Sequence, residues 1–274
     1  LFSLARTIGV SGLLAIVRPK RGMLRGVHPS FEQLEHRPWP KPDTAWAWRQ
    51  SWVDLAFLHW PIPAKALRPL IPESLTIDTF DGTGCIGIVP FRMEGVMRRP
   101  LPDIPGISAF PELNVRTYVT DGKKGGVWFF SLDAQQRLAV WAARQFFHLP
   151  YFNATFEMTR TGDTFDYRCT RGDKRCEQPA VFDATYRPTT QPYLAQPDTL
   201  EHWLTERYCL YSESPKKQLY RGEVHHLPWP LQKCEVEIRE NSIVAPTGLT
   251  LPDVEPIAHF ASRVDVAVWD IQKV

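Results

Sequence analysis

Several signatures are missing from this 274-residue chain, and each absence narrows what it can be. No apolar run approaches the roughly 20 residues a helix needs to cross a bilayer. The longest, residues 8–17, is interrupted by Gly9 and Gly12, so no transmembrane segment is expected. Net charge is scant: 32 Lys and Arg against 30 Asp and Glu leave +2, without the basic footprint of a nucleic-acid binder. The five cysteines, Cys85, Cys169, Cys176, Cys209 and Cys234, form no C-x-x-C pair. Neither H-E-x-x-H nor G-x-S-x-G occurs, so no metal, no cofactor and no serine-hydrolase elbow are expected. An odd number of scattered cysteines fits free thiols in a reducing compartment. Cys169 and Cys176 flank the turn-like Arg171-Gly172-Asp173 and stand where a hairpin could bring them together.

What is abundant points to β structure. The 25 Pro and 10 Trp suit many short strands joined by proline-punctuated loops, and 43% apolar content supports one sizeable core. Strands are expected at residues 50–60, 113–120, 126–132, 152–160, 165–170, 181–186, 218–225, 231–239 and 264–270. Asp121-Gly122 and Thr161-Gly162-Asp163 are hairpin turns, and Asp81-Gly82 should join residues 75–80 to 83–91 as a third. A short helix with proline in its first turn is expected over residues 63–70. Asp133 with Gln136 three residues on reads as a capping box for a helix presenting Leu138, Trp141, Ala142 and Gln145 on one face. Asp198 with Glu201 reads as the start of another, with Leu200, Trp203, Leu204 and Tyr208 on one stripe.

Residues 1–36 stand apart. They carry Arg6, Arg18, Lys20, Arg21 and Arg25, no acid before Glu32, and apolar Leu1, Leu4, Ala5 and Ile8. That composition resembles an organellar targeting segment, and with no initial Met it reads as a retained extension of a processed chain. The expectation is a mitochondrial protein, with the cytoplasm as alternative, whose extension either docks on a protein partner or is a basic tail. Residues 37–274 then form a single domain.

Strands alternate faces, so Leu113, Val115 and Val119 point one way while Glu112, Asn114, Arg116 and Tyr118 point the other. This polar row is either the solvent side of an ordinary sheet or the lining of a ligand cavity inside a barrel. Adjacent His225 and His226 face opposite sides of a strand and do not make a metal pair. Glu206-Arg207-Tyr208 reads as the anchor of a helix to the sheet.

Longer blocks carry a resemblance. Phe110-Pro111-Glu112-Leu113-Asn114-Val115-Arg116, Val127-Trp128-Phe129-Phe130-Ser131-Leu132-Asp133-Ala134 and Ala143-Arg144-Gln145-Phe146-Phe147-His148-Leu149-Pro150-Tyr151 resemble the YqjF-like family, domain of unknown function 2071. So do Val89-Pro90-Phe91-Arg92 and His226-Leu227-Pro228-Trp229-Pro230-Leu231. That family resembles the acetoacetate decarboxylases. The resemblance implies a mainly β, α+β fold: a curved antiparallel β-cone or barrel around a buried pocket, with a few flanking helices.

In the decarboxylases a helix runs into a strand that starts with paired lysines. The first forms an imine with substrate, and the second helps to lower its pKa, because a nearby cation disfavours protonation. Tyr151 and Phe152 stand in those places, and residues 144–154 contain no lysine, so chemistry centred there does not use an imine. The resemblance also matches Glu112 to a pocket glutamate.

The candidate catalytic groups are therefore Glu112, as a base if burial raises its pKa, Tyr151, as a hydrogen-bond donor, and His148. The candidate ligand-binding groups are Arg116 and Arg92, each able to hold a carboxylate bidentately, with Asn114. Two functions fit. One is a binder of, or an enzyme acting on, a small carboxylate or carbonyl compound. The other is an accessory subunit of a larger, mitochondrial complex.

Overall fold

The structure, a computed structural model, describes residues 29–104 and 106–274. In chain order its first elements are β1 (Trp48–Ile62), α1 (Ala64–Leu67), β2 (Thr76–Ile77), β3 (Gly84–Arg98), β4 (Phe110–Thr120), β5 (Gly125–Ala134) and α2 (Arg137–Phe147). Then follow β6 (Tyr151–Thr161), β7 (Thr164–Arg171), β8 (Ala180–Pro188), α3 (Leu200–Thr205) and β9 (Cys209–Glu213). The chain closes with β10 (Leu219–His225), β11 (Leu231–Asn241), β12 (Ile257–Val268) and β13 (Gln272–Lys273). The mainly β expectation holds. Among the described residues, no helix is long and apolar enough to cross a membrane.

The sheet closes on itself twice. One circuit runs β5-β6-β7-β8-β11-β12-β1-β3-β4 and returns to β5. A second leaves β5 for β9 and β10 and rejoins β12 through Val224 and His225 paired with Val268 and Ala267. Strands β12, β1, β3, β4 and β5 belong to both circuits, and β4 is buried on both faces along most of its length. Period-two alternation then sorts side chains between two interiors rather than between core and solvent. On β1, Ala56, Leu58 and Trp60 enter one cluster while Leu55 and Phe57 enter the other. On β4, Leu113 and Val115 join the first cluster, and the opposite face carries the polar row.

The first interior is packed with rings. Phe165 stacks on Tyr186 and Phe260 with centroids 5.3 and 5.2 Å apart, and Phe182 and Tyr167 are fully buried beside them. Its charged element is closed: Arg171 grips Asp133 through Nε and Nη2, each 2.7 Å from a carboxylate oxygen, and Nη2 also reaches Ser131.

Several expectations need correcting. The sheet is mixed rather than wholly antiparallel, because β5 pairs parallel with both β6 and β9. Asp133 does not cap α2; it ends β5 in the ion pair just described, and Gln136 accepts from the Leu138 amide instead. The buried face of α2 is also rotated. Val140 and Phe147 are buried, with Ala139 and Ala143 against the core, whereas Leu138 and Trp141 are 61% and 57% exposed. The small alanines let the helix lie close to the sheet, and that packing outweighs the placement of the larger apolar residues.

Helix α3 is capped by Thr199 rather than Asp198, which takes a positive φ, and Tyr208 falls beyond its end. The Asp81-Gly82 turn forms between Phe80 and Thr83, but β2 pairs with β4, not with β3. Strand β9 and the first half of β12 have no counterpart among the expected strands. All five cysteines are free. Residues 1–28 of the extension lie outside the described residues. Residues 29–36 belong to the fold: Phe31 packs with Ala267 and Trp269, and a ring nitrogen of His36 lies 2.8 Å from the His226 carbonyl.

Candidate functional site

The polar row of β4 is not a solvent face. Three of its four residues line a cavity of about 160 Å3 in the second interior, and Tyr118 lies outside that lining. Glu112, Asn114 and Arg116 all reach it, and Tyr151 enters from the start of β6. Four of the six candidate residues therefore converge on one space.

At one end Tyr151 donates a hydrogen bond to Glu112 Oε2 at 2.9 Å. Both groups are buried. Burial pushes the Glu112 carboxyl up to about 8, with the nearby Asp133 carboxylate adding to the rise and the Tyr151 bond opposing it. Glu112 is thus largely protonated near neutral pH, able to donate a hydrogen bond or, once deprotonated, to accept a proton. Burial and the neighbouring Glu112 hold the Tyr151 phenol well above its ordinary range, so it acts as a neutral donor.

At the other end stands Arg116, 8% exposed and without a carboxylate within ion-pair distance among the described residues. Its Nη2 makes one long hydrogen bond, 3.4 Å, to the Tyr118 hydroxyl, and its Nε has no protein partner. Its guanidinium carbon lies 5.2 Å from the Phe57 ring centre. Tyr118 is engaged elsewhere, donating to the Leu204 carbonyl at 2.7 Å while His59 Nε2 lies 2.6 Å from its oxygen. A buried cation of this kind costs several kcal/mol unless an anion joins it.

Arg207 lines the cavity near Arg116, but its charge is already met by Asp78, leaving Nη2 buried and unpaired. Asn114, between the two ends, also has a buried Oδ1 without a partner.

Two candidates lie elsewhere. Arg92 sits between Phe91 and Met93, whose side chains face the cavity; alternation turns it to the other side of β3, where it pairs with Asp54 and Glu94. His148 is the left-handed C-cap of α2, which swings its ring beside Tyr220, centroids 5.1 Å apart, and away from the lining. Phe152 likewise leaves the cavity and lies under the guanidinium groups of Arg171 and Arg175, 4.6 and 4.4 Å from their carbons.

Three contributors were not singled out from sequence for this site. They are Arg207, read as an anchor, and His226 and Trp229, which follow β10. The His226 ring nitrogens lie 2.7 Å from the Leu227 carbonyl and 3.2 Å from that of Arg207, and burial lowers its pKa, so it is neutral and structural in its contacts. Trp229 stacks on Trp52 at 5.9 Å. Their signal was the aromatic block His226-Leu227-Pro228-Trp229; what sequence lacked was the closure of β10 onto β12 that folds it inward. Among the described residues, the lining includes no lysine.

The matching family model, DUF2071, described as an uncharacterised conserved protein, covers residues 49–265. The chain belongs to this family. It is 45% identical over 242 residues to the Bacillus subtilis protein YqjF, spanning 88% of this chain and 98% of that protein. Among solved structures it resembles the enduracididine biosynthesis enzyme MppR complexed with pyruvate, with TM-score 0.60, 12% identity and coverage of 87% of this chain and 93% of that one. It also resembles acetoacetate decarboxylase from Legionella pneumophila, with TM-score 0.57, 11% identity and coverage of 92% and 97%. These likenesses establish the fold, which is acetoacetate decarboxylase-like.

Proposed function

We propose that this protein binds a small carboxylate or carbonyl compound in the β4 cavity, and that any reaction there proceeds without a lysine imine. The observation that carries the reading is Arg116, a buried cation with no protein counter-charge on the wall of that cavity. With Glu112 mainly neutral and Arg207 matched by Asp78, the lining holds a net charge of about one positive unit, which suits a monoanion. Arg116 supplies the bidentate grip on a carboxylate, and Glu112 with Tyr151 supplies a proton donor and acceptor at the far end. That MppR, which shares the fold, has been captured with pyruvate supports a small acid as the class of ligand.

The test is a thermal-melting panel of small carboxylates and their isosteric amides, on the native protein and on Arg116→Met. Carboxylates raise the melting temperature of the native protein, amides do not, and the variant responds to neither. Borohydride treatment with acetoacetate adds no mass. Equal response to amides, or a trapped covalent adduct, overturns the reading.

A second reading, the accessory subunit of a larger assembly, is favoured by one observation. Leu138, Trp141 and Phe146 are more than half exposed on one helix, an apolar surface of the kind that partners cover. Sizing the native protein from its source tests it: co-migration with other chains supports it, and a free monomer or dimer removes it.

A further inference from the structure

The shape and lining of the cavity say more about its ligand than its charge does. The rest of the lining is largely apolar, with the rings of Trp52, Phe91, Phe129 and Trp229 set among aliphatic side chains, and Trp52 and Trp229 stack on each other at 5.9 Å as one aromatic surface. A single water needs roughly 10–15 Å3 on the same measure. A cavity of about 160 Å3 therefore holds on the order of ten such volumes, well beyond a three-carbon keto acid. Arg116 stands at one end and the Glu112–Tyr151 pair at the other, with Asn114 between them. Arg116 and Glu112 are four residues apart on one strand face, so their Cα atoms stand roughly 13 Å apart at about 3.3 Å per residue.

Arg116 Nε and Arg207 Nη2 are buried donors without protein partners at one end. At the other, the Tyr151 hydroxyl and the Glu112 carboxyl already hold each other and present a combined donor and acceptor. A short acid anchored on Arg116 would leave the aromatic wall and this second pair untouched.

We propose that the ligand is an aryl acid: its carboxylate lies on Arg116, its ring against the aromatic side chains of the lining, and a hydroxyl or carbonyl at its far end on Glu112 and Tyr151. This rests on the carboxylate reading above and adds the body and second end of the molecule. It follows from what each part of the wall can satisfy: two unmatched cationic donors, an apolar and partly aromatic lining, and a mixed donor and acceptor pair.

Calorimetric titration of the native protein with acetate, hexanoate, phenylpropionate, para-hydroxyphenylpropionate and the neutral phenylpropanol tests it. Dissociation constants fall by about 100-fold from acetate to phenylpropionate, the gain expected for burying a benzyl-sized group. Hexanoate lies between, and the para-hydroxyl adds a further several-fold that Tyr151→Phe removes. Arg116→Met, its fold checked by melting, loses phenylpropionate binding but keeps that of phenylpropanol; should it not fold, the native series alone decides. If acetate and hexanoate bind as tightly as the aryl acids and depend on Arg116, the carboxylate reading stands and the aryl assignment falls. If no acid binds better than its neutral counterpart, both fall.

Discussion

The two interiors share five strands yet treat charge in opposite ways. In the first, Arg171 and Asp133 neutralise each other in a bidentate pair, and Phe165, Tyr167, Phe182 and Tyr186 fill the space around them. In the second, Arg116 has no such partner, Asn114 and Arg207 keep unmatched atoms, and aromatic side chains line a void. The same backbone, alternating residue by residue, supports both. The difference is one of completion: the first interior satisfies its polar groups from within the chain, and the second leaves them for something brought in.

The largest expected effect breaks the completed side. Asp133→Ala strands the Arg171 cation in the core and costs about 3–5 kcal/mol, read by urea denaturation. A cost under about 1 kcal/mol would mean that Arg171 finds water and that this interior is not sealed. Next, Phe182→Ala in the packed interior costs about 3–5 kcal/mol. Phe129→Ala on the cavity wall costs less than half of that, because its ring already lacks neighbours on one side. Equal costs would erase the distinction between the interiors.

The third prediction concerns pH. The Glu112 carboxyl has a folded pKa of about 8 against an ordinary value of 4.5, so between these limits the folded protein keeps a proton that the unfolded chain releases. Its contribution is fully present below about pH 4.5 and is lost as pH rises towards 8, at a slope of up to roughly 1.4 kcal/mol per pH unit. Glu112→Gln flattens the stability profile across that window. A native protein whose stability rises through it, once other titrations are matched by the variant, contradicts the assignment. The smallest effect has the opposite sign to the first. Arg116→Met removes an uncompensated buried charge and leaves stability unchanged or raises it by about 1 kcal/mol, read by the same denaturation. A loss comparable to that of Asp133→Ala would show that Arg116 is structural.

Much of this was legible in sequence because it depends on neighbours along the chain. The Asp121-Gly122 and Thr161-Gly162-Asp163 turns join β4 to β5 and β6 to β7 as their residue types require, and the polar row on β4 follows from alternation alone. What sequence could not decide was which side of β4 faced water, since the answer, neither, depends on β10 closing onto β12 more than 100 residues further along the chain. The same closure hid the roles of Arg207 and His226. Arg92 and His148 misled for local reasons: one is a residue out of phase with the cavity face, the other sits on a left-handed turn that redirects its ring. On α2, the large residues suggested the buried face, while close packing of Ala139 and Ala143 determined it.

The central claim is that the second interior is completed by an anion on Arg116. The most direct test is a crystal structure of the protein soaked with phenylpropionate. Carboxylate oxygens are expected about 2.7–2.9 Å from the Arg116 guanidinium nitrogens, with the ring against the aromatic side chains of the cavity. A carboxylate bound outside the cavity, or a cavity that stays unchanged while Arg116 turns to a protein carboxylate, would contradict it.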